Sequence, residues 1–362
     1  MQQPLQGPRH PAGGKRRFKD KHKVAGCGRQ NRRGGRCSDQ RRTRAQRSAD
    51  HPQSPRQQHP RRGRRRDRRG AARQHEVLTT IDLSRNDIRR EGGVAIGNAL
   101  AVNEVLTSLD LGRNQIGDEG GCSAAIAEAL RGNEVLTKLI LDYELDLPKL
   151  RGTDPVTSLD LSMKGLGPAS AIVIASLIAG NAVLTNLNLK GNQLCGIDNY
   201  CEGTYSAAGI TALAEALKFN GVLTSLNVGG NYLGPTGATA VAEALRGNGM
   251  LTTLVLESND IGPKGAAAIG EALRGNKVLT ELNISNNEIG SEGAAAIGEA
   301  LRGNEVLTEL NISRNVVNDI GSEGAAAIGE ALRGNKVLKS IDLRWNSLGG
   351  REGEKVIRDA VG

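Results

Sequence analysis

From residue 76 onward two spacings of apolar residues alternate along the chain. In Leu279-Thr280-Glu281-Leu282-Asn283-Ile284 the apolar Leu282 and Ile284 alternate with polar Glu281 and Asn283, the period-two signature of a short strand with one buried face. Asn287, Ile289 and Gly290 then carry a turn. Ala294–Arg302 is rich in the helix formers Ala, Glu, Leu and Arg, with Ile297 and Leu301 four apart on one face, which predicts a helix. Gly303 and Asn304 follow as residues that tolerate a left-handed helix end. The same unit, L-T-x-L-x-L-x-x-N-x-I-G-x-x-G-A-x-A-I-x-E-A-L-R-G-N-x-V, starts at Leu78, Leu106, Leu136, Val156, Leu184, Leu223, Leu251, Leu279, Leu307 and Leu338. Its basic period is 28 residues, as between Leu251, Leu279 and Leu307. Residues 265–285 and 293–313 differ only at Lys277 and Glu305.

A unit of this kind has about six or seven core side chains, each worth ~1.5–3 kcal/mol when buried. That is less than the entropy of ordering the whole unit, so units must stack and share a continuous core, as in a solenoid. An asparagine recurs after most of the strands as Asn86, Asn114, Asn192, Asn231, Asn259, Asn287, Asn315 and Asn346. Its donor and acceptor groups suit it to satisfy backbone in a stacked ladder. The repeat resembles the leucine-rich repeat family over residues 76–362, and its length and helix are similar to the ribonuclease-inhibitor-like subclass found in NLR-type receptors and Ran GTPase-activating proteins. The resemblance implies an α/β horseshoe of about ten repeats, with a parallel sheet on the concave side and helices on the convex side.

The period departs most in two units, and the ends differ as well. Leu136 to Val156 is short, and Pro148 and Pro155 exclude the usual helix from Leu141–Pro155. Glu144 and Lys164 replace the ladder asparagine in succession. Either this is a mobile joint or partner groove, or Leu145, Leu147 and Leu150 plug a missing helix layer. The unit after Leu184 carries an insertion near Cys195–Tyr205, whose Tyr200 and Tyr205 are either contact points or part of a plain insertion. The last unit ends in the polar mix Arg351, Glu352, Glu354, Lys355, Arg358 and Asp359, as a terminal cap requires. Nothing similar precedes Leu78, so either the Arg-rich residues 61–75 lie over that end or further units stand upstream.

Charge divides the chain at the same boundary. Residues 1–75 hold 24 Lys and Arg against 4 Asp, a net of +20, while residues 76–362 hold 24 against 35 Asp and Glu, a net of −11. The first segment has almost no Leu, Ile or Val and cannot offset its backbone entropy, which predicts disorder. Its Arg61–Arg69 cluster reads as a nuclear-import signal or nucleic-acid arm, as an inert solvated tail, or as GC-rich sequence read in the wrong frame. All five histidines lie there, so the repeats lack Ser-His-Asp and Cys-His catalysis and His-ligated zinc. Five Cys at irregular spacings suit reduced thiols in the cytoplasm, or in the nucleus if the basic segment acts as a signal. No apolar run is long enough to cross a membrane. No cofactor, metal site, small-molecule substrate or catalytic residue set is indicated.

Polar strand positions should face the concave side. The candidate partner-binding residues are Asp82, Asp110, Asp160, Asn188, Asn227, Glu281, Asn283, Glu309, Asn311 and Asp342, with Arg344 and Trp345 as the hot-spot types. The resemblance implies a non-enzymatic scaffold or sensor that binds another protein, and the acidic bias favours a basic one. A Ran-type GTPase-activating protein and a nucleic-acid-associated protein acting through the basic segment are the alternatives. The competing account of the candidates is that S-L-D-L and E-L-N-I are scaffold consensus and that Trp345 packs over the last strand.

Overall fold

A computed structural model of the chain describes residues 77–361 apart from 115, 117–120, 199 and 318. The basic segment and its expected disorder lie outside the described residues.

The unit read from sequence is built as strand, turn and helix. Strand β1 is Thr80–Asp82 and helix α1 Arg90–Leu100; β2 is Ser108–Asp110 and α2 Cys122–Gly132. After the break come β5 (Ser158–Asp160), α4 (Pro168–Ile178), β6 (Asn186–Asn188), α5 (Ala208–Phe219), β7 (Ser225–Asn227) and α6 (Gly234–Gly247). The regular units follow as β8 (Thr253–Val255), α7 (Gly262–Gly275), β9 (Glu281–Asn283), α8 (Gly290–Gly303), β10 (Glu309–Asn311) and α9 (Gly321–Gly334). The array closes with β11 (Ser340–Asp342) and α10 (Arg351–Val361).

Packing follows the two spacings. Leu279, Leu282 and Ile284 are buried inward from β9, and Ala294, Ile297, Ala300 and Leu301 are buried from α8. Helices stack closely because small residues line their contacts. A Cβ on Gly298 would come within 2.8 Å of the Ala327 backbone in the next helix. The expected helix over Ala294–Arg302 begins a turn earlier, at Gly290, where Glu292 in the first turn complements the helix dipole.

Two asparagine ladders run through the array. In the expected one, the amide oxygens of the regular units accept the backbone N–H of the preceding unit's asparagine, as in Asn231 N to Asn259 Oδ1, Asn259 N to Asn287 Oδ1 and Asn287 N to Asn315 Oδ1, all at 2.8 Å. The second ladder corrects the expectation for the helix end. Asn304 is extended (φ −84, ψ 120), not left-handed. Its Oδ1 accepts from Val306 N and Leu307 N, and its Nδ2 donates to Leu273 O one unit back. Asn220, Asn248 and Asn276 repeat that link. Amide side chains thus satisfy buried backbone that neither helix nor strand pairs.

The short third unit divides the sheet. After β3 (Lys138–Ile140) the chain turns at Asp142 and Tyr143, and β4 (Glu144–Asp146) returns antiparallel to β3, with Leu139 opposite Leu145. Helix α3 (Leu147–Arg151) is five residues long, with Pro148 in its first turn. The parallel sheet is therefore interrupted: β1–β4 form one sheet and β5–β11 a second, all-parallel one. Leu145, Leu147 and Leu150 are buried, as expected of residues plugging a missing helix layer, and α4 packs directly on α2 as well as on α3. Asp142, in the turn between β3 and β4, caps α4: its Oδ2 accepts from Gly167 N and Ser170 Oγ, both at 2.8 Å.

Candidate functional site

The outward face of the second sheet carries most of the candidate residues, and their local geometry separates scaffold roles from free ones. Asp82, Asp110, Asp160, Asn188, Asn227, Asn283, Asn311 and Asp342 each end a strand. In each, Oδ1 accepts the backbone N–H two residues on, over 2.8–3.1 Å. This Asx turn bends the chain out of the strand toward the ladder asparagine. The Asp and Asn of S-L-D-L and E-L-N-I thus have a structural duty, and only the remaining carboxylate or amide atoms are available to a ligand. Asp82 and Asp110 also stand on the first sheet, apart from the others. The twelve candidates do not form one continuous sheet surface.

Glu281 and Glu309 differ from these. They open their strands, are exposed, and lie directly opposite each other in register. Neighbouring strands are ~4.8 Å apart, so the two carboxylates repel and favour a cation between or above them. Thr253 Oγ1 makes a weak contact with Glu281 Oε2 at 3.3 Å. Thr253, Val255, Glu281, Asn283, Glu309 and Asp342 line an open depression of about 310 Å³ across β8 to β11.

At the C-terminal end of this face Arg344 grips Asp342 through Nε to Oδ1 (3.0 Å) and Nη2 to Oδ2 (2.7 Å). That grip holds the Asp342 carboxyl below the ordinary carboxylate range. Trp345 has φ 60 and is 70% exposed, so it does not pack down over the last strand. Its backbone position is set by the repeat, since Arg85, Arg113, Met163, Ser258, Asn286 and Arg314 take the same left-handed turn in their own units.

An ion pair absent from the candidate set crosses the same face. Lys190 Nζ bonds Glu257 Oε1, and Glu257 Oε2 accepts from Asn283 Nδ2 at 3.3 Å. The two residues hold the same repeat position two units apart, and the bridge passes over Gly229, where a Cβ would lie 2.8 Å from Glu257 Cγ. The signal was in the sequence. That position is otherwise Ser or Gly in most units, as at Ser84, Gly112, Ser162, Gly229, Ser285 and Ser313. The pair uses up one of the face's carboxylates, as Arg344 does Asp342, and leaves Glu281 and Glu309 as its acidic end.

The Cys195–Tyr205 insertion is a folded loop. Asp198 Oδ1 accepts from Tyr200 N and Glu202 N, and Ile197 bridges Gly203. Tyr205 donates to Leu233 O at 2.6 Å, and burial raises its pKa; Tyr200 projects into water. Among the described residues no cluster of His, Cys, Asp and Glu could hold a metal ion, and no helix is long and apolar enough to cross a membrane.

Six segments, residues 74–97, 102–121, 220–242, 247–270, 275–298 and 303–329, match the family model described as Leucine Rich repeat. Residues 122–219, which include the divided sheet and the insertion, lie outside those matches. Among solved structures the chain is similar to the leucine-rich repeat-containing protein LegL7 from Legionella pneumophila, with 22% identity over 78% of this chain and 90% of that one and a TM-score of 0.39. It is also similar to leiomodin-1 actin-binding site 2 (22% identity, 51% of this chain and 84% of that one, TM-score 0.33). A third likeness is to the Caenorhabditis elegans tropomodulin C-terminal domain (15% identity, 51% and 87%, TM-score 0.33). No protein of curated function matches the chain.

Proposed function

Taking as premise that the chain is a leucine-rich repeat protein, we propose that it is a non-enzymatic, intracellular interaction scaffold of the ribonuclease-inhibitor-like subclass. It binds a basic protein segment on the outward face of the second sheet. The observation that carries this reading is the Glu281–Glu309 pair, two like charges held opposite each other by strand register without an Asx-turn duty. Scaffold needs alone would not select that pairing, because like charges directly opposite destabilise a sheet. Arg344, which pairs with Asp342, and the exposed Trp345 supply anchor area at the margin of that face. A helix of 11 to 14 residues in each regular unit supports the subclass.

The test is quantitative affinity capture from cell extract with wild type, the Glu281→Lys/Glu309→Lys variant and the Arg344→Ala/Trp345→Ala variant. Both variants should lose the proteins that wild type recovers, and recovery should fall with salt because the contact is charge-assisted. Equal recovery by wild type and the charge-reversed variant, with its folding intact by circular dichroism, would place the contact elsewhere. Hydrolysis of GTP by a panel of small GTPases should be unchanged when the chain is added.

A further inference from the structure

On the helix side the break in the third unit leaves a trough. That unit supplies only the five-residue α3, so α4 packs directly on α2. No residue of α4 is exposed, and its sequence PASAIVIASLI includes no charge. Other helices turn a Glu outward near their end and, three residues on, an Arg or Lys. These are Glu128 and Arg131 in α2, Glu215 and Lys218 in α5, and Glu271 and Arg274 in α7. In α4 the same two positions are Ser176 and Ala179. With Ile172 they floor a depression of about 310 Å³ walled by α2 and α5. Phe219 lines its rim and is 77% exposed. The position faces water throughout the array, so its exposure belongs to the scaffold, but the residue does not: the neighbouring units have Gly132, Gly180, Gly247 and Gly275 there. An uncharged hollow and an aromatic knob therefore lie side by side.

We propose that this trough is a self-association surface and that its occupant is the same trough of a second copy of the chain. The order of charge on the walls selects that occupant. Both walls read Glu and then base in the same chain direction. A two-fold axis that crosses the helices midway between the Glu and base levels lays each wall antiparallel on its own image, an isologous contact. Glu128 then meets Arg131 of the other copy, and Glu215 meets Lys218. Exposed pairs within one helix hold only weakly, and here they re-form across the joint around a closed apolar centre. The same rotation carries Phe219, one residue past Lys218, onto Ala175 and Ala212 of the other copy, so each knob enters the other's hollow and both leave water. Ser176 and Ala179 are small enough for the two α4 helices to meet on the axis. Helices α6 to α9 share the charge order but have Gly at the knob position and Glu and Arg where α4 has Ser and Ala, so they offer neither part of the fit. The contact leaves Glu281 and Glu309 open and does not depend on the function proposed for the sheet face.

Sedimentation velocity of the complete chain, with reductant present and over a micromolar dilution series, reads the association. Wild type should dimerise. Phe219→Gly, which installs the residue of the neighbouring units, should weaken the dimer at least tenfold and leave the melting curve unchanged, since the side chain faces water in the single copy. Glu128→Lys/Glu215→Lys should weaken it as much, because each lysine then meets a base. Exchanging all four wall charges, Glu128→Lys/Arg131→Glu/Glu215→Lys/Lys218→Glu, keeps the order complementary and should restore the dimer. Glu281→Lys/Glu309→Lys, an equal change of net charge on the sheet face, should dimerise as wild type does. A wild type monomeric throughout, a dimer indifferent to Phe219→Gly, a four-charge exchange no better than the two-charge reversal, or a dimer lost on changing the sheet face would each overturn the proposal.

Discussion

Replacing Asn287 by alanine removes four hydrogen bonds from a position with no exposure to water. Its Oδ1 accepts from Asn259 N at 2.8 Å and more weakly from Ile261 N at 3.5 Å, and its Nδ2 donates to Leu256 O at 2.8 Å and Ser285 O at 3.0 Å. Leu256 O keeps a second donor, Asn259 Nδ2, at 3.0 Å. The main loss is therefore the stranded Asn259 N–H, with a smaller term for the weakened carbonyls and the space left behind. An orphaned buried donor costs ~1–3 kcal/mol, so the whole substitution should cost about 2–4 kcal/mol. Asn86 is the same residue at the same repeat position, but it lies at the exposed start of the ladder and donates to Leu83 O and Ser84 O where water can replace it. Its change to alanine should cost no more than ~1 kcal/mol. Urea unfolding followed by circular dichroism, with a common slope, measures both. Equal costs at the two sites would mean that the ladder does not carry the load assigned to it.

Four further outcomes follow from the same geometry. Leu282→Ala should cost ~2–5 kcal/mol as a cavity between neighbouring units, while Glu281→Ala stays within about 0.5 kcal/mol; similar urea midpoints would put the strand register in error. Asp142→Ala removes the acceptor that caps α4 and should cost ~0.5–2 kcal/mol, with Asp142→Asn milder, as read from urea midpoints; no change in either would dismiss the cap. Because Arg344 depresses the folded-state Asp342 pKa, the stabilisation from Asp342 is present above the ordinary aspartate value and lost as pH falls through the depressed one; Arg344→Ala should move the titration back up in carboxyl carbon-13 spectra, and an unmoved titration would refute the grip. The composition of residues 1–75 predicts that limited trypsin removes them quickly and leaves a resistant fragment starting near residue 74, and equal resistance in both parts would count against two separate regions.

The regular units were readable because every level of the sequence agrees in them. In β9 and α8 the alternation at Leu282 and Ile284, the four-residue step from Ile297 to Leu301 and the ladder Asn287 all point to one structure, and repetition confirms each reading. The helix end was misread because asparagine suits both a left-handed cap and an amide ladder, and only the neighbouring unit's open carbonyl at Leu273 selects the second. The third unit was legible as a break but not as a reversal. Leu145 pairs antiparallel with Leu139, a hairpin whose turn at Asp142 and Tyr143 carries no Gly or Asn-Gly signal to announce it. Among the candidate site residues, Asn188 and Asn227 have the right face, but their turn bonds depend on a backbone N–H that no side-chain pattern shows. Lys190 and Glu257 were each visible as departures, yet their meeting across Gly229 follows only once the strands stand side by side.

The reading of the sheet face as the partner-binding surface is tested most directly by zero-length carbodiimide cross-linking of a captured partner, followed by mass spectrometry. The reagent joins carboxylates to lysine amines in contact, and this chain carries carboxylates on both faces. Cross-links to partner lysines should map to Glu281 and Glu309, with Asp342 held back by its pairing to Arg344. A map dominated by the helix-side Glu271, Glu299 and Glu330, with the sheet-face carboxylates unmodified, would contradict the account.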